Sequence, residues 1–163
     1  MRVRIVFSDT KSWTPWAWAI KRYLGTQYYH TSFYLDFYDE MWESLTTGVK
    51  FSKREEWLKT HVIIKEFILD LSPERVNEIR TIAQGKLGTK YGYFQYVVIL
   101  LNLSINNSWR QLICSEFDAR IFAKELGYPE DTNFDKITPK DLYLRVKELY
   151  GNTSDLLRKL KGF

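Results

Sequence analysis

Strand-type alternation occupies this chain up to Leu69, and three- and four-residue spacing occupies most of the remainder. That segregation is the strongest constraint on its fold. Strands that come first, with helices after them, build a small antiparallel sheet against which the helices pack, an α+β layout. Within Arg2 to Ser8, Val3, Ile5 and Phe7 alternate as one face of a short strand. From His30 to Tyr38, Thr31, Phe33, Leu35 and Phe37 face one way, and His30, Ser32, Tyr34 and Asp36 the other. This pattern predicts a strand packed on one side with a polar or functional face opposite. Met41 to Phe51 reads as two short strands around Thr46-Thr47-Gly48, and His61 to Leu69 as another strand. A helix interrupts the series, with Thr14 as its cap, Pro15 as its first residue and Gly25 after its last turn at about Leu24.

In the second half, Ser72-Pro73-Glu74 opens a helix toward Lys86, with Gly88 beyond it, and Tyr91 to Leu103 is apolar enough for a buried helix. Residues 113 to 127 form an amphipathic helix whose stripe is Phe117, Ile121, Phe122 and Leu126, with Gly127 as its stop. Thr138-Pro139-Lys140-Asp141 opens a last helix that Gly151 is expected to close, before a basic tail helix. No repeat or linker interrupts this order, so residues 1–163 are expected to form a single domain.

Cys114 is the only cysteine, and it stands at the first turn of the 113–127 helix. The positive end of a helix dipole favours a thiolate over a thiol, so a cysteine placed there suits nucleophilic chemistry. Free cysteine is more often a small buried hydrophobe, and the alternative turns on whether a histidine reaches it. Two histidines are present: His30 opens an alternating strand, while His61 sits in the apolar run His-Val-Ile-Ile and is expected to serve that strand.

One cysteine precludes an intrachain disulfide framework, and no spacing resembles a zinc-ligand cluster, so no metal or cofactor is expected. The N-terminal apolar run is too short for a signal peptide. The longest apolar stretch, Phe94 to Leu103, is broken by Gln95 and Asn102 and is about half a membrane span. A cytoplasmic protein without a transmembrane segment is the resulting expectation. The formal charge of +4 is modest, and no nucleic-acid-binding motif accompanies it, which argues against a nucleic-acid partner.

Several blocks together carry a resemblance: Tyr28-Tyr29-His30-Thr31-Ser32, Met41-Trp42-Glu43-Ser44, Gly88-Thr89-Lys90-Tyr91-Gly92-Tyr93, Leu112-Ile113-Cys114-Ser115-Glu116-Phe117 and Ile137-Thr138-Pro139-Lys140-Asp141-Leu142-Tyr143. Over roughly residues 4 to 145 the chain resembles the circularly permuted NlpC-like (YiiX-like) papain-fold cysteine hydrolases, in which the histidine strand precedes the cysteine helix. The resemblance implies a permuted papain-like fold with a small antiparallel sheet packed against helices. It implies Cys114 as nucleophile, His30 as general base and Glu43 as the acid that orients the imidazole, with Asp36, Asp39 and Glu40 as alternative acids. It also implies a tyrosine at the oxyanion, Tyr91 or Tyr93, beside the backbone N–H of Cys114. Where the family often has serine before its histidine, this chain has Tyr29.

On the helix from Pro15 to Leu24, Trp16, Ile20 and Leu24 share a stripe and Trp18 lies off it, making Trp18 the candidate for substrate contact. The expected function is a thiol hydrolase, a peptidase or amidase, acting on an amide in a peptide or peptidoglycan-type peptide. The alternatives are an acyl-ester hydrolase or acyltransferase of the lecithin:retinol acyltransferase kind, and a catalytically lapsed binding module.

Overall fold

The computed structural model describes residues 1–91 and 111–160, and their side chains except for Trp16, Tyr91, Gln111 and residues 152–160. Strands β1 (Arg2–Thr10), β2 (His30–Leu35), β3 (Glu40–Leu45), β4 (Gly48–Ser52) and β5 (His61–Asp70) form one antiparallel sheet in the order β4-β3-β2-β1-β5. Helices α1 (Pro15–Leu24), α2 (Arg54–Trp57), α3 (Pro73–Gln84), α4 (Cys114–Ile121) and α5 (Pro139–Leu160) accompany it. A two-residue parallel ladder joins β6 (Lys90–Tyr91) to β7 (Gln111–Leu112). The architecture is α+β, with strands early and most helices late.

Alternation decides which sheet face meets the helices. Val3, Ile5, Phe7, Phe33, Leu35 and Trp42 form one buried surface with Val76 and Ile79 of α3, Phe117 and Ile121 of α4, and Leu142 and Val146 of α5. The opposite face also packs: Val6, Met41 and Trp57 make a smaller cluster, edged by Tyr34, Leu58 and Ile63. Helix α2 was not evident in the sequence, because a four-residue helix is too short to show a period. It covers the face expected to be open and polar.

Several boundaries differ from expectation for local reasons. Strand β2 ends at Leu35, and the chain turns through Asp39 at φ 53°, so Phe37 is exposed rather than packed. Helix α4 ends at Ile121; Phe122 leaves helical geometry at φ −103° and ψ 18°. A further irregular turn then closes as expected at Gly127, φ 60°, where Tyr128 N–H donates to Ala123 O and Gly127 N–H to Lys124 O. Gly151 does not close the last helix. Helix α5 runs through it to Leu160, since an interior glycine costs only about 1 kcal/mol against alanine in an otherwise long helix. The buried helix expected over 91–103 lies outside the described residues from 92 onward, and Tyr91 itself belongs to β6.

The caps follow the expected chemistry. Thr14 accepts from Ala17 N–H at 3.2 Å, and Gly25 ends α1 at φ 64°. Thr138 and Asp141 bond reciprocally, with Thr138 N–H to Asp141 Oδ2 at 3.0 Å and Asp141 N–H to Thr138 Oγ1 at 3.2 Å. Among the described residues, no helix is long and apolar enough to cross a membrane.

Arg75 of α3 ties the turn after α4 to the core, donating to Glu125 at 2.6 and 2.8 Å and to Ile121 O at 3.1 Å. Burial alone would raise the Glu125 carboxyl, but the Arg75 bonds outweigh it and hold it below the usual range. A carboxylate depressed in the folded state stabilises above its unfolded pKa, and that contribution fades as pH falls through the folded value. Glu125→Gln should therefore lower stability by about 2 kcal/mol near neutral pH. In denaturant titrations the gap from wild type should narrow below about pH 4. A gap that does not change with pH would remove the charge from this account.

Candidate active site

Helix α4 begins at Cys114, with Ile113 in extended geometry before it (φ −88°, ψ 163°). Its seat on the sheet is aromatic: Phe33 of β2 meets Phe117 at 5.7 Å and Phe122 at 5.2 Å between ring centroids. These contacts lie one helical turn after Cys114 and three residues after His30, so core packing brings the two together. Cys114 is 1 % exposed, His30 3 % and Glu43 1 %.

Cys114 and His30 share a hydrogen bond and a charge interaction. On the other side of the ring, His30 Nε2 meets Glu43 Oε2 at 3.1 Å, which leaves Nδ1 for the cysteine. Burial works against a charged imidazole here. Cys114, by charge and by hydrogen bond, and then Glu43 overcome it and raise His30 to about 10. The arrangement holds a proton on His30 across the neutral range.

Glu43 is the carboxylate that meets His30. Trp57 Nε1 donates to its Oε2 at 2.9 Å, Lys50 Nζ lies 3.7 Å from its Oε1, and His61 Nε2 lies 3.9 Å from Oε2. Burial favours the neutral acid, but His30, by hydrogen bond and by charge, and then the Trp57 hydrogen bond hold Glu43 below the usual carboxylate range. The alternative acids are engaged elsewhere: Asp36 with Arg4 at 2.8 and 2.9 Å, Asp39 with Tyr34 at 2.9 Å, and Glu40 with Arg80 and Trp42.

Of the oxyanion candidates, the Tyr91 backbone pairs with Leu112, two residues before Cys114. The Tyr91 side chain, and Tyr93 altogether, lie outside the described residues. Tyr29 is drawn to the site as well, 5.9 Å from the His30 ring. Burial first, and then the charge on Cys114, raise its phenol to about 12, so it keeps its proton. Trp18 stands 57 % exposed on α1, while Ile20 and Leu24 pack on Ile113, the residue before Cys114.

Two further residues join the site: His61, expected from the sequence to serve its strand, and Asp118, which was not singled out in the sequence. His61 stacks on Trp57 at 4.3 Å with 5° between planes, and its ring lies 5.6 Å from that of His30. It stands at the carboxylate rather than serving the strand alone. Asp118, one turn after Cys114 on α4, is fully buried; neither carboxyl oxygen makes a hydrogen bond of ordinary geometry among the described residues, although the nearby Thr31 hydroxyl favours its charged form. Its i+4 spacing from Cys114 was the signal available. Ser115 and Glu116 explain their own presence: Ser115 Oγ donates to Ile137 O at 2.6 Å, while Arg120 bridges Glu116 (2.7 Å) and Asp135 (3.0 Å). They pin the 134–137 turn to the cysteine helix.

Comparison of the sequence with protein-family models returned no match, and comparison with curated proteins returned none either. The functional reading therefore rests on the residues and their geometry.

Burial pushes Asp118 well above the usual carboxyl range, and the charge on Cys114 adds to the shift, so it stays neutral. An acid raised in the folded state holds a proton that the unfolded chain has lost, so it lowers stability as pH rises above about 3.9. Asp118→Asn removes that titration. Its stability relative to wild type should rise steadily from about pH 4 to about pH 7 in denaturant titrations. A constant difference over that range would show Asp118 to be charged in the folded protein.

Proposed function

We propose that this protein is a cysteine hydrolase with a permuted NlpC-like, papain-type arrangement, cleaving an amide in a peptide or peptidoglycan-type peptide. The observation that carries this reading is the buried relay of Cys114, His30 and Glu43, with the cysteine at the first residue of a helix. The chain order, histidine strand β2 before cysteine helix α4, agrees with the permuted branch. A nearly complete set of charge partners in the interior is costly to keep without use, which weighs against a lapsed binding module.

In this reading the Cys114 thiolate attacks the carbonyl carbon, and the C–O double-bond electrons move to the oxygen. The Cys114 backbone N–H and Tyr91 stabilise that oxyanion. His30 gives its proton to the departing amine nitrogen as the C–N bond breaks, leaving a thioester on Cys114. Water then attacks the thioester while His30 takes its proton, the C–S bond breaks, and the acid departs. Glu43 stabilises the imidazolium at each stage and fixes the ring so that Nδ1 faces the sulfur. Asp118 and Tyr29 stay neutral throughout, which keeps a second negative charge away from the nucleophile.

The exposed aromatics Trp13, Trp18 and Tyr23 favour a second reading. They lie on or just before α1, which packs beside the cysteine, and an acyl chain laid against them would arrive at Cys114 as an ester. A matched pair of thiol-reactive probes, one acyl ester and one peptide amide, separates the two by which acylates Cys114 faster.

The primary test is the iodoacetamide alkylation rate of Cys114 across pH in metal-free buffer. The wild-type rate should rise with a midpoint well below the free-thiol value of about 8.5, because imidazolium stabilises thiolate. His30→Ala should move the midpoint up toward that value, and Glu43→Gln should move it part of the way. Identical midpoints near about 8.5 in wild type and His30→Ala would sink the proposal. With a cleavable substrate in hand, turnover should decline on the alkaline side as His30 loses its proton near 10.

A further inference from the structure

His61 presents an unanswered lone pair to Glu43. Its Nδ1 lies 2.9 Å from Thr60 Oγ1 and 3.2 Å from Trp57 O, and the Thr60 hydroxyl donates to that same carbonyl at 3.2 Å. The Trp57 carbonyl can only accept, so its hydrogen bond with Nδ1 assigns the ring proton to Nδ1. The neutral ring then turns a bare Nε2 toward Glu43 Oε2, 3.9 Å away. Two electron-rich atoms thus face one another in the interior, His61 9 % exposed and Glu43 1 %. Such a pair repels unless a cation stands between them.

We propose that His30, Glu43 and His61 bind one divalent ion of the zinc class, in competition with the proton that joins His30 to Glu43. One ligand atom from each of the three lies within 4.8 Å of the others. Bonds of about 2.0 Å in tetrahedral array put ligand atoms about 3.3 Å apart. The His30–Glu43 separation of 3.1 Å already suits that, and the wider pairs close by side-chain rotation. Two imidazole nitrogens and one carboxylate suit zinc and its first-row neighbours; magnesium and calcium take oxygen ligands. The supporting contacts are those of a metal site as well. His61 Nδ1–H is held by a backbone carbonyl, and Trp57 holds the carboxylate by its indole N–H. Lys50 reaches Oε1 rather than Oε2, and it is half exposed, so it can turn to solvent when the ion enters.

The exchange balances simply. His30 gives the Nε2 proton to solvent, and the ion takes that lone pair, while Nδ1–H stays on the cysteine sulfur. Three protein ligands leave the ion's fourth position to water. The ion's binding stands independently of the hydrolase reading. Its consequence, that a metal-bound His30 could release its Nδ1 proton only by becoming an imidazolate and so is a poor acid for a leaving group, rests on that reading. An occupied site is a resting form of the enzyme, released by a chelator.

The test uses the full chain, stripped with a chelator and titrated with Zn2+ against a chromophoric competitor. Wild type and Cys114→Ser should each bind one equivalent, and His61→Ala should bind at least about tenfold more weakly. Substituted Co2+ should give tetrahedral visible bands without a sulfur charge-transfer band. Because His61→Ala also removes the Trp57 stack, wild type carries a second readout: Zn2+ should raise its Tm and Mg2+ should not. No shift in the wild-type Tm, undiminished binding in a folded His61→Ala, or binding lost in Cys114→Ser would each overturn the site. The hydrolase reading is judged separately, by the metal-free alkylation profile of Cys114.

Discussion

Phe33 sits where the sheet and the cysteine helix meet, and its contacts set the rest of the site. Its ring is buried against Phe117, Phe122 and, on its own sheet, Trp42 at 6.3 Å. Removing a ring of this size from a packed interior costs about 3–5 kcal/mol, more than any polar contact in the site supplies alone. The apolar term therefore decides where α4 lies, and the polar relay is built on a helix already seated. Cys114 and His30 are 84 positions apart in the chain, yet each is three residues from a ring in that cluster. Their closeness is a by-product of core packing, and their alignment is refined by Glu43.

Two buried carboxyls near the cysteine show how environment alone divides roles. Glu43 receives Trp57 Nε1–H and His30, with Lys50 nearby, and stays ionised despite being buried. Asp118 has only the Thr31 hydroxyl to favour its charged form, too little to offset its burial, and stays protonated. The two groups have nearly the same intrinsic acidity, so donors make the difference. A second anion under the thiolate would oppose its formation, whereas one beyond the imidazole supports it. The polarity of the relay thus depends on which carboxyl has been given hydrogen-bond donors.

The sheet was legible because alternation is a one-dimensional signal: β1, β2 and β5 start where the pattern starts, and the Thr46-Thr47 turn falls between β3 and β4. The Thr14 and Ser72 caps were legible for the same reason, since a cap is written within four residues. What the sequence hid depends on folding at a distance. Trp57 reads as one aromatic among many until α2 lays it on the sheet, where it meets Glu43 and His61. His61 reads as a strand residue because its neighbours Val62, Ile63 and Ile64 are apolar. Its side chain is committed to the carboxylate by the sheet order, which places β5 next to β1 and β1 next to β2. The choice of Glu43 among four acids was open until Arg4, Tyr34 and Arg80 were seen to take the other three.

The asymmetry between the two histidines arises from the groups that hold the far side of each ring. His30 has Cys114 on one side and Glu43 on the other, two groups that carry negative charge when the pair is ionised, so it gains by holding a second proton. His61 has the Trp57 carbonyl and the Thr60 hydroxyl at Nδ1, neutral acceptors that fix its tautomer but add no net charge. Burial and the charge on His30 then lower its affinity for a second proton, although Glu43 lies within 3.9 Å. One carboxylate cannot hold two imidazolium ions side by side in a dry interior without strong repulsion between them. Glu43 is consequently committed to His30, and His61 remains a neutral donor of a lone pair. The same side chain that completes the relay leaves, on its other flank, a coordination position that a proton does not fill.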